Sequence, residues 1–214
     1  MKFPVLPILA ALALAAGCGR QAMTLPDDPI ERAATCGVVE TAAARQQDGA
    51  AVGKPLTVET QGRILHYALL AASADKAYDS RIASAVVKRM PAIADSVTAG
   101  DWQKLQAPCA AAYPAVARIQ VALPADPLAA ALGCDELATF MRTALARQNY
   151  AFATTLDSYD KLNRALDQRI APLFSSRGIM SFAARRTQRN RALAAIVERG
   201  SPVPTLELCS ARYG

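Results

Sequence analysis

Histidine occurs once in this 214-residue chain, at His66, tryptophan once, at Trp102, and aromatic residues make up only 6% of it. A lone histidine excludes metal centres and proton relays that need two. The chain has no Gly-x-Ser-x-Gly elbow, no phosphate-binding loop, no Gly-x-Gly-x-x-Gly and no Cys-x-x-Cys-His. Acyl transfer at such an elbow, nucleotide binding and haem attachment lose their usual signatures, and no cofactor is expected. Charge is modest at 20% against 52% hydrophobic residues, and there is no long polar tract, which excludes a disordered chain. The strand formers are sparse too. What is abundant is Ala, 47 residues, and Arg, which outnumbers Lys 18 to 6. Both favour helix, and no alternating strand or Asn-Gly hairpin pattern occurs, so the predicted fold class is all-α.

The only long apolar run opens the chain. Lys2 precedes Phe3 to Ala16, a stretch too short to span a bilayer and ending in small residues, which reads as an export signal. Leu14-Ala15-Ala16-Gly17-Cys18 resembles the lipobox of bacterial lipoproteins, with Ala15 where Leu is usual. The resemblance implies removal of residues 1–17, lipidation of Cys18 and membrane attachment through a tether of residues 18–24. Gly19 stands where that family carries an Asp to hold lipoproteins at the inner membrane. Outer-membrane anchorage facing the periplasm is therefore expected, with a soluble periplasmic or secreted form as the alternative.

Five cysteines are present, Cys18, Cys36, Cys109, Cys134 and Cys209. Lipidation of Cys18 consumes the odd thiol and leaves four that can pair, which suits an oxidising envelope. Four cysteines allow three pairings, and an internal repeat chooses among them. Residues 25–36 align without a gap on 123–134 at an offset of 98, with Leu-Pro, Asp-Pro and Cys in register. Cys109-x-Ala-x-Tyr113 matches Cys209-x-Ala-x-Tyr213 at an offset of 100. The pattern predicts two tandem, internally duplicated units, residues 25–114 and 123–214, joined by the apolar connector 115–122. If each unit has its own clasp, the bonds are Cys36–Cys109 and Cys134–Cys209.

About four helices are predicted per unit. Asp28-Pro29 and Asp126-Pro127 open the first helix of each, the one ending near Asp48-Gly49 and the other near Tyr150. In the first unit a helix from Thr57 to about Ser73 follows, then one from about Asp75 to Arg89, interrupted before Pro91 and continued to Thr98, and a last from Asp101. In the second, helices run from Asp157 to about Ser175 and from a Ser181 cap to Gly200, with residues 201–209 leading into a short terminal helix.

Candidate functional residues are few. His66 falls off the Ile64–Leu65 face and is expected at a core boundary, and Trp102 is expected in the core. Asp157 with Asp160, and Glu31 with Glu40, are the carboxylate pairs a glycan-cleaving enzyme would need, but the motifs around them are absent, and Asp157 reads as a helix cap. The basic excess lies in the second unit, with 12 basic and 8 acidic residues between 123 and 214. Arg185, Arg186 and Arg189 are the candidates for binding an anion or a partner, Arg186 and Arg189 sharing a helix side with Phe182, Leu193 and Ile196; the competing reading pairs these arginines with Asp157, Asp160 or Asp167 on the preceding helix, or lays their aliphatic stems over apolar neighbours. Nucleic acid is not expected, because no aromatic residues interleave with the basic cluster. These features lead to a non-catalytic envelope lipoprotein offering a helical surface to a protein partner or anionic lipid. The alternative is a periplasmic inhibitor or immunity-type protein acting on a toxin or wall hydrolase.

Overall fold

A computed structural model of the chain describes residues 23–49, 54–146 and 149–214. The export segment and Cys18 lie outside the described residues. Every regular element among those described is helical: α1 (Pro29–Asp48), α2 (Val58–Ala72), α3 (Ser80–Thr98), a 3-10 turn (Trp102–Leu105), α4 (Gln106–Ala112), α5 (Pro127–Leu145), α6 (Asn149–Ser176), α7 (Phe182–Val197) and α8 (Pro202–Tyr213). None of these helices is long and apolar enough to cross a membrane.

The caps explain where the helices start. Asp28 accepts from the backbone N–H groups of Ile30 and Glu31 at 3.0 and 2.9 Å, Pro29 supplies the first residue of α1, and Gly49 ends it in the left-handed region at φ 58°. Asp126 and Pro127 open α5 in the same way. Thr57 and Ser181 cap α2 and α7 as their sequences predict.

Other boundaries differ from expectation. α3 starts after Asp79, not at Asp75, because residues 73–79 form a turn in which Lys76 N–H donates to the Ser73 carbonyl and Asp79 N–H to that of Ala72. Pro91 does not interrupt α3. Its ring is exposed, while Ala83, Val86, Met90, Ile93 and Val97 bury the opposite face, and that packing carries the helix past the missing N–H. α5 stops at Leu145, short of Tyr150, and α6 begins well before Asp157. Asp157 therefore lies inside a helix and caps nothing. The bend falls instead at Phe152, at φ −124°, where the chain turns its ring into the core. α8 absorbs most of the segment read as a lead-in, since Pro202 and Pro204 sit in its first turn, where an N–H would have no intrahelical partner. Gly200 lies beyond α7 and does not cap it; a Cβ there would come 2.7 Å from the Arg118 carbonyl oxygen, so the connector passes where only glycine fits.

Two apolar cores result. The first gathers α1, α3, the 3-10 turn and α4 around Cys36–Cys109, whose Cα atoms are 5.5 Å apart across a span of 73 residues, and includes Trp102. The second gathers α5 to α8 around Cys134–Cys209, 5.8 Å apart across 75 residues. α2 belongs to both. Ile64, Tyr67, Ala68 and Ala71 face the first core, whereas Leu65 and Leu69 face the second. Gly62 brings α2 close to α8, where a Cβ would lie 2.8 Å from a Val203 methyl. The connector closes the other side: Arg118 donates to the Glu198 carbonyl at 2.8 Å and accepts from Ser201 N–H at 2.9 Å. The halves thus share one central helix.

This sharing corrects the placement of His66. Its side chain is fully buried, with Nε2 2.7 Å from the Val197 carbonyl oxygen at the end of α7. A wheel drawn for α2 alone assigns one buried arc. The second half covers a second arc, and His66 lies on it.

Candidate functional site

α7 is half core and half surface. Its buried residues are Ala192, Leu193, Ala194, Ile196 and Val197, all in its C-terminal half. The N-terminal half and the turn before it leave apolar side chains uncovered, with Phe182 80% and Met180 70% exposed. Phe182 therefore does not join Leu193 and Ile196 in the core, although a helical wheel places the three on one side.

Arg185, Arg186 and Arg189 all line a cavity of about 540 Å³ with Phe174, Phe182 and Asp167, but their situations differ. Arg185 donates from Nε to the Ile179 carbonyl at 3.0 Å, and its guanidinium sits 5.3 Å from the centre of the Phe174 ring. That cation–π contact is worth about 0.5–2 kcal/mol and fixes the group at the cavity wall. Arg186 is exposed and has no ion pair among the described residues. With Glu136 and Asn190 it also lines a neighbouring cavity of about 990 Å³ beside the 73–82 segment, so it stands on the ridge between the two.

Arg189 is spoken for. It donates to Asp135 and to Glu136, both at 2.6 Å. Burial opposes its charge, but the two carboxylates outweigh that and push its pKa up. Asp135 is itself buried and accepts from Asn163 Nδ2 at 2.7 Å; Asn163 accepts from Arg142, which pairs with Asp160 at 3.0 Å. Arg164 pairs with the same Asp160. A polar chain therefore ties α7 to α5 and α5 to α6.

The reading that paired these arginines with the preceding helix needs correction. Arg189 finds its carboxylates on α5, Asp160 takes Arg142 and Arg164, and neither Asp157 nor Asp167 holds an ion pair among the described residues. The other proposed carboxylate pair is also divided. Glu31 pairs with Arg89 and Glu40 with Arg63, each at 2.7 Å. Among the described residues no three His, Cys, Asp or Glu side chains are grouped to hold a metal.

Titration reinforces this picture. Burial lowers His66 to about 4, against the Val197 hydrogen bond that raises it, so the imidazole is neutral near pH 7. Burial raises Tyr67, as does Glu40, so its hydroxyl keeps its proton and remains a donor. Compared with protein-family models, with curated proteins and with solved structures, the chain matches none of them.

Proposed function

We propose that the chain is a non-catalytic envelope lipoprotein, anchored at the outer membrane through Cys18, whose α6–α7 corner docks a protein partner or an anionic lipid. The observation that carries this reading is the corner itself, where the exposed Met180 and Phe182 flank Arg185 and the unpaired Arg186. Apolar side chains beside a guanidinium are the usual composition of a protein docking patch. Glu136 and Asp167 line the same cavity, which disfavours a phosphate-rich lipid surface and favours a protein segment with both acidic and apolar side chains. Two disulfides are consistent with an oxidising compartment. The equivalent caps at Asp28 and Asp126 and the disulfide spans of 73 and 75 residues support descent of the two halves from one duplicated bundle.

The test is affinity capture of the lipidated protein from its own detergent-solubilised envelope, in parallel with the double variant Phe182→Ala/Arg186→Glu. Specific recovery of an envelope protein by the wild type and its loss in the variant are expected. Recovery of a toxin or wall hydrolase as the dominant species would replace the scaffold with the inhibitor reading. Equal recovery by both forms would rule the corner out as the docking surface.

A further inference from the structure

A cleft between α1, α2 and α4, away from the α7 surface, has the make-up of a small-ligand site. Its volume is about 340 Å³, within the range of about 300–1,000 Å³ usual for such sites. Val39, Ala44, Cys109 and Val116 form an apolar floor that is part of the first core. Polar groups converge above it: the Glu40–Arg63 pair at 2.7 Å, the amides of Gln47 and Gln106, and Tyr67. Tyr67 is 4% exposed and its hydroxyl has no hydrogen-bond partner among the described residues. That hydroxyl is not among the sealed polar atoms either, so it opens on the cleft.

The second half shows that a bundle of this plan can close the equivalent space. With the Asp28 and Asp126 caps in register, Val39, Ala43 and Gln47 of α1 correspond to Leu137, Met141 and Leu145 of α5. Those three are at most 1% exposed and fill the second core. In the first half a methyl group and an amide stand in place of the thioether and one isobutyl, and the space stays open and polar. Packing alone does not favour that choice, since an unfilled, half-buried polar cleft forgoes contacts the fold could make.

The lining selects the ligand. Glu40 and Arg63 neutralise each other, so a charged molecule meets no uncompensated partner. Tyr67 and Tyr113 stand edge to face, with centroids 5.3 Å apart and planes at 89°, which leaves no parallel slot for a flat aromatic ring. Donors from Tyr67, Arg63 and the two amides alternate with acceptors from Glu40 and the amides over an apolar base. A molecule with several hydroxyl groups around a ring that has an apolar face satisfies both layers. We propose that this cleft binds a neutral saccharide, one ring at a time.

The experiment is saturation-transfer NMR and calorimetry on the full mature chain with both disulfides intact, using glucose, galactose and N-acetylglucosamine as probes. At least one should bind with a dissociation constant on the order of 1 mM, the affinity a single small ring supports. Tyr67→Phe should weaken it roughly five- to tenfold, the loss of one net hydrogen bond. Ala43→Met, which installs the side chain the second half uses, should abolish binding while the melting temperature holds; if that variant does not fold, Gln47→Leu serves the same purpose. Tyr150→Ala, at a fully exposed position outside the cleft, should leave sugar binding unchanged. No binding by any of the three sugars, undiminished binding in a folded cleft-filling variant, or tighter binding of glucose 6-phosphate than of glucose would each overturn the proposal.

Discussion

The Nε2 of His66 in α2 donates to the carbonyl oxygen of Val197 at 2.7 Å, joining the helix both cores share to the end of α7. The last carbonyls of a helix have no intrahelical partners, and here His66 and Arg118 supply two of the missing donors. Donation from Nε2 leaves Nδ1 unprotonated, buried and without a hydrogen bond.

Stability should therefore fall in mild acid. The unfolded chain protonates His66 below about pH 6.5, whereas the folded chain resists until about pH 4. This contribution is complete above pH 6.5 and is lost as pH drops from 6.5 towards 4, about 3 kcal/mol in all. Chemical unfolding at pH 7.5 and 4.5, compared between wild type and His66→Gln, isolates it from the carboxylates. The wild type should lose about 2–3 kcal/mol more than the variant over that interval. Parallel losses would contradict the burial assigned to His66.

Each disulfide closes more than 70 residues, 73 in the first half and 75 in the second. Replacing both cysteines of either pair with Ala should lower stability by about 4 kcal/mol on the chain-entropy account. Because α2 contributes to both cores, each variant should still melt in a single transition. Calorimetry that resolves two independent transitions would show that the halves do not share their stability.

Arg189→Ala should destabilise the protein by about 1–3 kcal/mol, since it leaves Asp135 buried beside Glu136 without its cation. The figure sits below that for a fully buried pair because the Arg189 side chain keeps 31% of its exposure. Arg186→Ala, with no partner to lose, should stay within about 0.5 kcal/mol. Urea titration of the two variants distinguishes them; equal effects would mean that the polar chain through α5 carries no stability.

Much of the fold could be read from the chain, because caps act locally and the cysteines recur in register. Asp28, Thr57, Asp126 and Ser181 mark helix starts through hydrogen bonds made within three residues, and the register of the repeat indicated both disulfides. What escaped depends on neighbours distant in sequence. Pro91 is carried by packing on the far side of α3, the bend at Phe152 follows from seating its ring, and His66 is buried only because the other half of the chain covers it. The arginine cluster was legible as a cluster but not as to partners, since Asp135 and Glu136 lie more than fifty residues before Arg189. The Tyr67 cleft had no signal in the first half alone. Comparison of Ala43 and Gln47 with Met141 and Leu145 across the repeat could have pointed to it.

The docking role proposed for α7 is tested most directly by a photo-crosslinking residue placed in turn at positions 182, 186 and 150 of the full chain expressed in its own cells. Tyr150 is fully exposed but lies at the start of α6, outside the cavity lined by Phe182 and Arg186, and serves as the control. The same discrete adduct from positions 182 and 186, and none from 150, is the predicted result. No adduct at 182 and 186, or the same adduct from all three positions, would contradict it.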